Sequence, residues 1–573
     1  MTVSDSRRRS PSRWVMPPEP DAYAVAVLAD ALHLPDSVCR LVAARGYADP
    51  EDAKRFLRPR LDQLHEPSTL MDLDRAVERL VRAIGANETI LIHGDYDVDG
   101  MCSTTLMLKT LRSLGAHVVA FIPQRLRDGY DLTDAGVRAA LEAGAGVVVT
   151  CDCGTSAHEP VRALQAAGVD VIITDHHLPG GPLPEAYAVI NPKRAGCPSS
   201  DKDLAAVGVA FKLALALVRA FGASETPVLE MLDLVALATV ADIAPLRGEN
   251  RVLVRYGLRV LSETGNLGLR ALIRAAGLEG KPLTAGRVGY ILAPRLNAVG
   301  RLDRALRGVD LLTADNESTA NALARDFEEL NARRQEIDRK VLDDARRMVE
   351  ALDLDRTFGI VLAGEGWHPG VIGIVASRLV EEFGRPTILI ALDGDEGKGS
   401  GRSISAFDLH AGIGQCRDLL IRFGGHRSAA GVTIARHQVA AFAERFNAVA
   451  LRSLTADDLI PEMRADLELP FDAATEDLES VLRHLEPCGA GNPSPVLVSR
   501  GVTVAAPPRT IGKDGLRLTL AAGGHSLTAI GWGMAPRRSE LALGAAIDVA
   551  YRLDRDEWKG ESRLQARLAD FRA

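Results

Sequence analysis

The sequence predicts an α/β protein in which a parallel-sheet domain, a long connecting helix and a second, smaller α/β domain precede a C-terminal β-barrel. Three observations support this fold class. Short apolar runs alternate with helical stretches from residue 89, this alternation restarts near residue 357 after a long charged run, and short strands dominate after Pro461. A chain of 573 residues is also too long for one ordinary core, so several domains are expected.

The first sheet is predicted from short runs that are apolar on both faces, as a buried parallel sheet requires. The predicted strands are TILIH (89–93), VVAFIP (118–123), GVVVT (146–150) and VDVIIT (169–174). Helical patterns follow the first three strands and end near Leu114, Ala143 and Ala167. Strands and helices that alternate in this way form a doubly wound sheet, which binds ligands at the carboxyl ends of its strands.

The remaining elements follow in order along the chain. Residues 201–280 are predicted to be mostly helical, and a charged run over 318–352 predicts a long helix that links domains. A second α/β unit starts at TFGIVLAGEG (357–366), and the short strands after Pro461 predict a barrel, for which the OB-fold is one candidate. The predicted domains are an N-terminal tail and helical segment (1–65), a first α/β domain (66–315), a linker helix (316–353), a second α/β domain (354–452) and a C-terminal barrel (453–573).

Composition excludes several classes of protein. The net charge is −8, from 68 basic and 76 acidic residues, which argues against a protein that coats nucleic acid by bulk charge. No apolar run approaches the roughly 18 residues of a membrane helix, and no apolar stretch follows Arg13, so neither a spanning segment nor a secretory signal is expected. Seven cysteines without a repeating framework fit reduced thiols in a cytoplasmic protein.

The strongest motif is His93-Gly94-Asp95-Tyr96-Asp97-Val98-Asp99-Gly100, where the first strand ends. In an extended segment, carboxylates at positions i, i+2 and i+4 lie on one side and converge. Three like charges held together need compensation, for which a divalent cation is suited. A calcium loop of the D-x-D-x-D-G type is excluded because its twelfth position is Leu106 and because a strand, not a helix, precedes the motif.

Three further acidic sites follow predicted secondary structure. Asp152 ends the third strand, Asp175-His176-His177 ends the fourth, and Asp242 follows a helical run. Taken alone, Asp152 fits a helix cap as well as a ligand, and its neighbours Cys151 and Cys153 form a poor zinc pair. Taken together with the first motif, these groups supply the carboxylate and imidazole ligands that pairs of Mn²⁺ or Mg²⁺ ions accept. Such pairs catalyse phosphoester hydrolysis, which is therefore the predicted reaction class.

Two glycine-rich segments in the second α/β unit are candidates for binding an anion. They are residues 399–403 (GSGRS) and 424–431 (GGHRSAAG), which offer backbone N–H groups, hydroxyls and cations. Simple tight turns are the alternative interpretation. A nucleotide P-loop is not supported, because the first glycine of that motif would fall at Leu392.

The order GDYDVDG, DCG, DHH, VAD and GGHRSAAG resembles the DHH phosphoesterase superfamily with its DHHA1 second domain. The stretches IPQR (122–125), PRLNA (294–298), WHPGVIGIV (367–375) and PCGAGNP (487–493) are similar to the RecJ family of bacterial single-strand-specific 5′→3′ DNA exonucleases. The resemblance runs from about residue 50 to the carboxyl end. It implies a two-metal enzyme of DNA recombination and repair that releases nucleoside 5′-monophosphates. One departure is Cys488, where an aromatic residue is expected, and we expect it to affect only the packing of the barrel.

The resemblance also implies roles for individual residues. The implied metal ligands are Asp95, Asp97, Asp99, Asp152, His176 and Asp242, of which Asp152 would bridge two ions and, with Asp97, be essential for catalysis. The implied catalytic groups beside the scissile phosphate are His177 and, from the second domain, His426. The implied DNA contacts are Arg125, Ser400 and Arg402 for a 5′-phosphate, Tyr130 for base stacking, Gly425 with His426 for phosphate, and Arg295, Asn297 and Arg301 for the strand. His93 matches a ligand of other DHH enzymes, although in RecJ-like proteins Asp95 takes that role.

A cleft between the two α/β units is expected to admit a single strand and to exclude a duplex. Only 4% of residues are aromatic, so arginine–phosphate contacts should dominate and DNA affinity should fall steeply with salt. The resemblance implies single-strand-binding protein and a RecQ-type helicase as further partners, no membrane, and a monomer. Two alternatives remain: a DHH phosphodiesterase of short oligonucleotides or cyclic dinucleotides, and a catalytically dead replication scaffold.

Overall fold

The computed structural model describes residues 12–125, 127–558 and 561–573. The predicted N-terminal tail lies, up to residue 11, outside the described residues. The chain divides into two compact units. The first unit comprises Arg58–Gln335 and Leu485–Pro493, and the second comprises the chain up to Leu57, Glu336–His484 and Ser494–Ala573.

The chain begins in the second unit with a short strand and three helices. They are β1 (Arg13–Val15), α1 (Ala22–Leu32), α2 (Asp36–Ala44) and α3 (Pro50–Leu57).

The first unit is built on a parallel sheet with the strand order β3-β2-β4-β5-β6. Its elements are α4 (Leu73–Gly85), β2 (Thr89–Gly94), α5 (Val98–Ser113), β3 (Val118–Phe121), α6 (Asp134–Glu142), β4 (Ala145–Cys151), α7 (His158–Ala166), β5 (Asp170–Thr174) and β6 (Ala188–Ile190). Alternate residues of each strand enter different cores: Ile90 and Val147 pack on one face, and Leu91 and Val148 pack on the other. The prediction of strands buried on both faces is therefore confirmed.

Helices complete the first unit, as the pattern of residues 201–280 predicts. They are α8 (Ala206–Ala220), α9 (Thr226–Glu230), α10 (Leu232–Ala241), α11 (Gly248–Ser262), α12 (Leu267–Ala275), α13 (Ala285–Arg287), a π-helical turn (Val288–Leu292), α14 (Ala293–Leu302), α15 (Leu306–Leu312) and α16 (Glu317–Glu350). The long charged helix α16 lies within two residues of its predicted bounds and runs from the first unit into the second.

The second unit contains a mixed sheet with the order β10-β11-β9-β8-β7, in which only β7 and β8 are parallel. Its elements are β7 (Ile360–Glu365), α17 (Ile372–Phe383), β8 (Thr387–Asp393), β9 (Glu396–Arg402), α18 (Leu409–Gly414), β10 (Arg422–Gly425), β11 (Ala429–Ala435) and α19 (Val439–Ser453). The glycine-rich GSGR segment is therefore a strand and not the expected loop. A Cβ at Gly399 would lie 2.5 Å from Val432 Cγ2, so glycine lets the neighbouring strands pack closely.

A barrel closes the second unit. Its strands are β13 (Leu467–Glu468), β14 (Leu497–Val504), β15 (Arg509–Ile511), β16 (Gly515–Ala522), β17 (His525–Gly531), β18 (Ala546–Trp558) and β19 (Glu561–Arg572). Before them, β12 (Glu462–Arg464) pairs with β1 in a separate two-stranded sheet, and α20 (Glu476–Leu482) lies between β13 and β14 in the chain. The order β14-β18-β19-β17-β16 closes because β14 also pairs with β16. This closed arrangement agrees with the predicted OB-like barrel.

The segment Leu485–Pro493 departs from the predicted organisation. The sequence places it in the barrel domain and predicts that Cys488 affects barrel packing, but the structure groups the whole segment with the first unit. The reason is a set of hydrogen bonds to α11 and to the turn before it, which no local pattern reveals. Among the described residues, no helix combines the length and the apolarity needed to cross a membrane, and all seven cysteines are free.

Candidate metal centre

The first acidic motif spans the end of β2 and the start of α5. Asp95 follows β2, and Asp97 is the N-cap of α5, where its carboxylate accepts the N–H groups of Asp99 (2.9 Å) and Gly100 (3.1 Å). The expectation of an extended segment is therefore wrong beyond Asp97: the capping hydrogen bonds start the helix one residue before Asp99. Gly100 is required here, because a Cβ would come within 2.5 Å of the Asp95 backbone.

Asp99 lies in the first turn of α5 and is almost fully buried, with 1% of its surface exposed. Its carboxylate accepts the N–H groups of Ala206 (2.9 Å) and Val207 (2.8 Å) at the start of α8. Helix N-termini stabilise negative charge, so two helix ends hold this carboxylate in place. The sequence of the motif does not reveal the part played by α8.

The other acidic residues reach the same edge of the sheet. Asp152 follows β4 with a left-handed backbone (φ 68°), and Asp175 to His177 follow β5. Because β2, β4 and β5 are adjacent and parallel, their carboxyl ends meet at this edge. Asp242 arrives from the C-terminal end of α10. The structure thus brings together the four separate stretches that the sequence singles out.

Candidate ligand atoms in these residues lie close enough to share cations. Among the residues that the structure describes, three groups have ligand atoms within 4.8 Å of one another: Asp95, Asp97 and Asp152; Asp99, His176 and Asp242; and Asp152, His176 and His177. His176 Nε2 lies 3.2 Å from Asp152 Oδ1 and 3.7 Å from Asp242 Oδ2. Asp152 and His176 each belong to two groups, so they join the groups into one centre.

The centre fits divalent cations on a structural test. Within the described part of the chain, Asp95 Oδ1, Asp152 Oδ1 and His176 Nε2 are buried and make no hydrogen bond, since the 3.2 Å contact between the last two lacks hydrogen-bond geometry. Buried polar atoms are normally paired, because leaving them unpaired costs about 1–3 kcal/mol each. A hard cation coordinated by carboxylate oxygens and imidazole nitrogen would satisfy all three atoms and neutralise the clustered charge.

Without a cation, the environment opposes charge on these side chains. Burial, together with neighbouring carboxylates, raises the pKa values of Asp95, Asp99 and Asp152 well above their usual range, and it raises that of Asp242 to about 7. Burial also lowers the pKa of His176 to about 3, so its imidazole is neutral near pH 7 and free to bind a metal.

His177 differs from the ligands around it. Its Nδ1 lies 2.7 Å from Asp175 Oδ1, its side chain is 40% exposed, and Tyr130 Oη lies 3.2 Å from its Nε2. Burial opposes its charge, but the hydrogen bond to Asp175, together with the negative charges of Asp175, Asp242 and Asp95, outweighs burial and raises the pKa of His177 to about 9. The Asp175 carboxylate also accepts the Thr155 N–H at 3.0 Å. Asp175 therefore keeps His177 cationic and oriented, a role that the DHH motif alone does not reveal.

His93 belongs to none of these ligand groups among the described residues. It is fully buried, and burial lowers its pKa to about 4. Its Nδ1 lies 3.5 Å from Cys153 Sγ, and its Nε2 faces Gly136, where a Cβ would come within 2.6 Å. The His93 ring thus packs against α6, and Asp95, not His93, lies at the metal centre.

A cavity of about 170 Å³ opens beside the centre and is lined mainly by polar groups. Its lining residues are Tyr96, Asp97, Arg125, Ala241, Asp242, Asn297, Gly300 and Arg301. The guanidinium of Arg125 lies 4.7 Å from the ring centre of Tyr96. Three predicted DNA contacts, Arg125, Asn297 and Arg301, therefore face one space, whereas the guanidinium of Arg295 binds Glu328 at 2.6 and 3.1 Å.

The remaining predicted contacts lie in the sheet of the second unit. Ser400 and Arg402 point the same way from β9, and Arg402 Nη1 donates to Ser400 Oγ at 3.2 Å. Both lie against the first turn of α17, since a Cβ on Gly373 would come within 2.8 Å of Ser400 Oγ and 3.1 Å of Arg402 Nη2. Gly425 and His426 form the exposed turn between β10 and β11. A cation, a hydroxyl and a helix N-terminus together form an anion-binding arrangement.

Comparison with known proteins covers most of the chain. Three family profiles match: "DHH family, N-terminal domain" at residues 89–239, "DHHA1 domain" at 356–451 and "RecJ OB domain" at 465–570. The "Single-stranded-DNA-specific exonuclease RecJ" of Bacillus subtilis is 38% identical over 564 residues, which cover 98% of this chain and 71% of that protein.

Solved structures give the same match. The crystal structure of RecJ in complex with Mn²⁺ from Thermus thermophilus has a TM-score of 0.84 at 33% identity, over 98% of this chain and 79% of that one. The corresponding complex with Mg²⁺ has a TM-score of 0.79 at 30% identity, over 98% and 78% of the two chains.

Proposed function

This chain belongs to the RecJ family, and from that premise we propose that it is a metal-dependent exonuclease that degrades single-stranded DNA from its 5′ end. The observation that supports this most strongly is the centre itself. Buried carboxylate and imidazole atoms from four stretches of chain converge, and three of them have no hydrogen-bond partner among the described residues. Solved structures of a similar RecJ with Mn²⁺ and with Mg²⁺ support either metal as the ion of this centre.

The ligand groups define how the centre would hold its ions. Asp95, Asp97 and Asp152 would hold one ion, and Asp99, His176 and Asp242 would hold the other, with Asp152 between them. Such a pair of ions polarises a phosphoryl group and lowers the pKa of a bound water.

The chain's own residues supply orientation and charge. We propose that the cavity formed with Arg125, Asn297 and Arg301 holds the strand beside the scissile phosphate. His177, held by Asp175 through Nδ1, keeps Nε2 for the phosphate or for the leaving oxygen. Its positive charge near pH 7 would stabilise the charge that develops in the transition state.

The 5′ polarity rests on the second unit. We propose that Ser400, Arg402 and the N-terminus of α17 bind a terminal 5′-phosphate, and that Gly425 and His426 contact the backbone near the scissile bond. Selectivity for a single strand is part of the same proposal, as is the release of nucleoside 5′-monophosphates during recombination and repair. We also propose that the protein acts in the cytoplasm as a monomer, together with single-strand-binding protein and a RecQ-type helicase.

The alternatives lack comparable support. A catalytically dead scaffold has no need for orphaned ligand atoms in a shared centre. A phosphodiesterase of short oligonucleotides has no need for the C-terminal barrel, which matches the "RecJ OB domain" over 465–570.

End-labelled DNA tests the proposal. Single strands labelled at the 5′ or the 3′ end are incubated with the full chain and Mn²⁺, Mg²⁺ or chelator, with blunt duplex as the control. We expect a 5′ label to leave at once as mononucleotide, a 3′ label to persist in a ladder, and neither duplex nor chelated samples to react. Strands that are bound but never cleaved with Mn²⁺ would instead support the scaffold.

A further inference from the structure

The PCGAGNP stretch is typical of the family, yet the proposed chemistry gives it no role. The structure places Leu485–Pro493, here called the strap, in the first unit, whereas the chain on both sides of the strap belongs to the second. The strap contacts residues 245–247, which follow the turn that carries Asp242.

Buried side chains hold the strap in shape. Arg251, which is 2% exposed, donates to the carbonyls of Leu485 (3.0 Å), Glu486 (2.9 Å) and Pro487 (3.1 Å). Asn492, which is 1% exposed, donates to the carbonyls of Leu485 (2.8 Å) and Pro487 (2.9 Å). A guanidinium fork is suited to several fixed carbonyls at once, and an amide to two. These contacts fix where the remaining strap carbonyls point.

The strap then binds the segment that follows Asp242. The carbonyl of Ala490 accepts the N–H of Leu246 at 2.7 Å, and that of Gly491 accepts Nε–H of Arg247 at 2.8 Å. Packing is tight at the same place, since a Cβ on Gly491 would lie 3.0 Å from Pro245 Cβ. Leu246 is four residues from Asp242, so the strap anchors the chain shortly after the turn that carries Asp242.

The turn itself has an unfavourable backbone. Ile243, next to Asp242, is β-branched and adopts the left-handed region at φ 61°, and its side chain is 73% exposed. Such a conformation persists only where the surrounding structure fixes it. Because the Ile243 side chain projects into solvent and adds little packing, hydrogen bonds must fix the turn. On its helix side, the N–H groups of Ile243 and Ala244 donate to the carbonyls of Val240 and Thr239, each at 3.2 Å. On its other side, the strap holds Leu246 and Arg247, where the chain leaves the turn.

We propose that the strap positions Asp242 for metal binding, with Arg251 and Asn492 as positioning residues that act through Ala490, Gly491 and the strained turn. This rests on the proposed function, and it concerns the group formed by Asp99, His176 and Asp242. Residues outside the ligand set that orient a ligand typically change metal affinity or activity by about 10- to 100-fold. Disturbing the strap should weaken this group and leave the group of Asp95, Asp97 and Asp152 intact.

The test is a Mn²⁺ titration of the full chain, in which free Mn²⁺ is followed by electron paramagnetic resonance. We expect wild type to bind in two steps. Asn492→Ala should weaken one step by about 10-fold and leave the other unchanged. Arg247→Ala, at an exposed position, should weaken the same step by a smaller factor. Asn331→Ala is the matched control, because Asn331 is 1% exposed and its amide oxygen accepts from Arg334 in α16, and it should move neither step.

The possible outcomes distinguish a failure of the proposed strap role from a failure of the proposed function. If Asn492→Ala moves both steps together or neither, the strap has a general structural role and the proposal is overturned. If that variant does not fold, Arg247→Ala decides in the same way, with its melting temperature as the check on folding. If the wild-type protein binds no Mn²⁺ and cleaves no strand, the proposed function is refuted. If the wild-type protein is fully active and both variants bind Mn²⁺ as it does, only the positioning role of the strap is refuted.

Discussion

The acidic centre of the first unit and the glycine-rich sheet of the second show opposite ways of building a charged site. In the first, the carboxylates of Asp95, Asp99 and Asp152 are 1–3% exposed, and helix ends and strand ends fix the acidic residues before any ligand arrives. In the second, Ser400 and Arg402 are partly exposed and the turn at Gly425 and His426 is open to solvent. The first region is destabilised by its own charge until a cation binds, whereas the second presents donors that an anion can reach at little cost. The metal centre should therefore govern both stability and catalysis, whereas Ser400 and Arg402 in the sheet should govern substrate preference.

The largest effect is expected at Asp152, which belongs to two of the ligand groups. Asp152→Asn should lower exonuclease activity by about 10³-fold or more, because it removes the shared carboxylate from a site that works by electrostatic stabilisation. The same change should raise the melting temperature of the metal-free protein, since it replaces a buried carboxyl group, whose ionisation burial and the neighbouring carboxylates oppose, by a neutral amide. Gel assays and thermal unfolding in chelator measure the two effects. Full activity, or a large loss of stability, would contradict the assigned role.

A pH-dependent stabilisation by metal is expected next. In the metal-free protein the pKa of Asp242 rises from 3.8 to about 7, and Asp95, Asp99 and Asp152 shift in the same direction. A raised pKa in the folded state contributes stability that is present at low pH and is lost as the pH rises through that pKa. The free energy of unfolding without metal should therefore fall as the pH rises from about 4 to about 7.

Metal binding needs the deprotonated carboxylates, so the gain in melting temperature from Mn²⁺ should grow over the same pH interval. Thermal unfolding in Mn²⁺ and in chelator, at matched ionic strength, measures this difference. Asp233→Asn is a useful control, because Asp233 is also buried with a raised pKa but lies outside the ligand groups. A gain that does not vary with pH would contradict the account.

A smaller and more selective effect is expected in the second unit. Arg402→Ala should reduce the preference for a 5′-phosphorylated strand over a 5′-hydroxyl strand by about 10-fold, because it removes a charge-assisted hydrogen bond. Mn²⁺ binding should be unchanged. Rates on the two substrates measure the ratio, and Arg422→Ala, at an exposed position of the same sheet, serves as the control. An unchanged ratio would remove Arg402 from the proposed pocket.

The smallest effect is expected at Tyr130, whose ring is 46% exposed. Tyr130→Phe removes only the hydroxyl near His177, so activity should fall by about 2- to 10-fold. Tyr130→Ala should weaken strand binding further if a base stacks on the ring, by about 1–3 kcal/mol. Fluorescence anisotropy with labelled single strands separates the two contributions. Equal binding by both variants would argue against stacking.

Sequence patterns predict the frame of the molecule well, because burial on both faces of a parallel sheet leaves a clear signal. The strands that end just before Asp95, Asp152 and His176 are predicted within a few residues of their observed bounds. The sequence also predicts the edge of the sheet at which these residues meet. Resemblance to a family adds the roles of those residues, which spacing alone leaves open between a ligand and a cap.

Contacts between distant parts of the chain are what the sequence conceals. The helix start at Asp97 depends on capping geometry, and the support of Asp99 by Ala206 depends on a contact across more than 100 residues. The strand β9 is missed because its glycines suit a turn as well as close strand packing. The strap is missed because its partners, including Arg251, lie more than 200 residues away.

Anomalous diffraction from a crystal of the protein grown with Mn²⁺ would show whether these side chains hold a pair of metal ions. We expect two peaks about 3.5–4 Å apart, one beside Asp95 and Asp97 and the other beside His176 and Asp242, with Asp152 between them. A single peak, or peaks that lie away from these five side chains, would contradict this expectation.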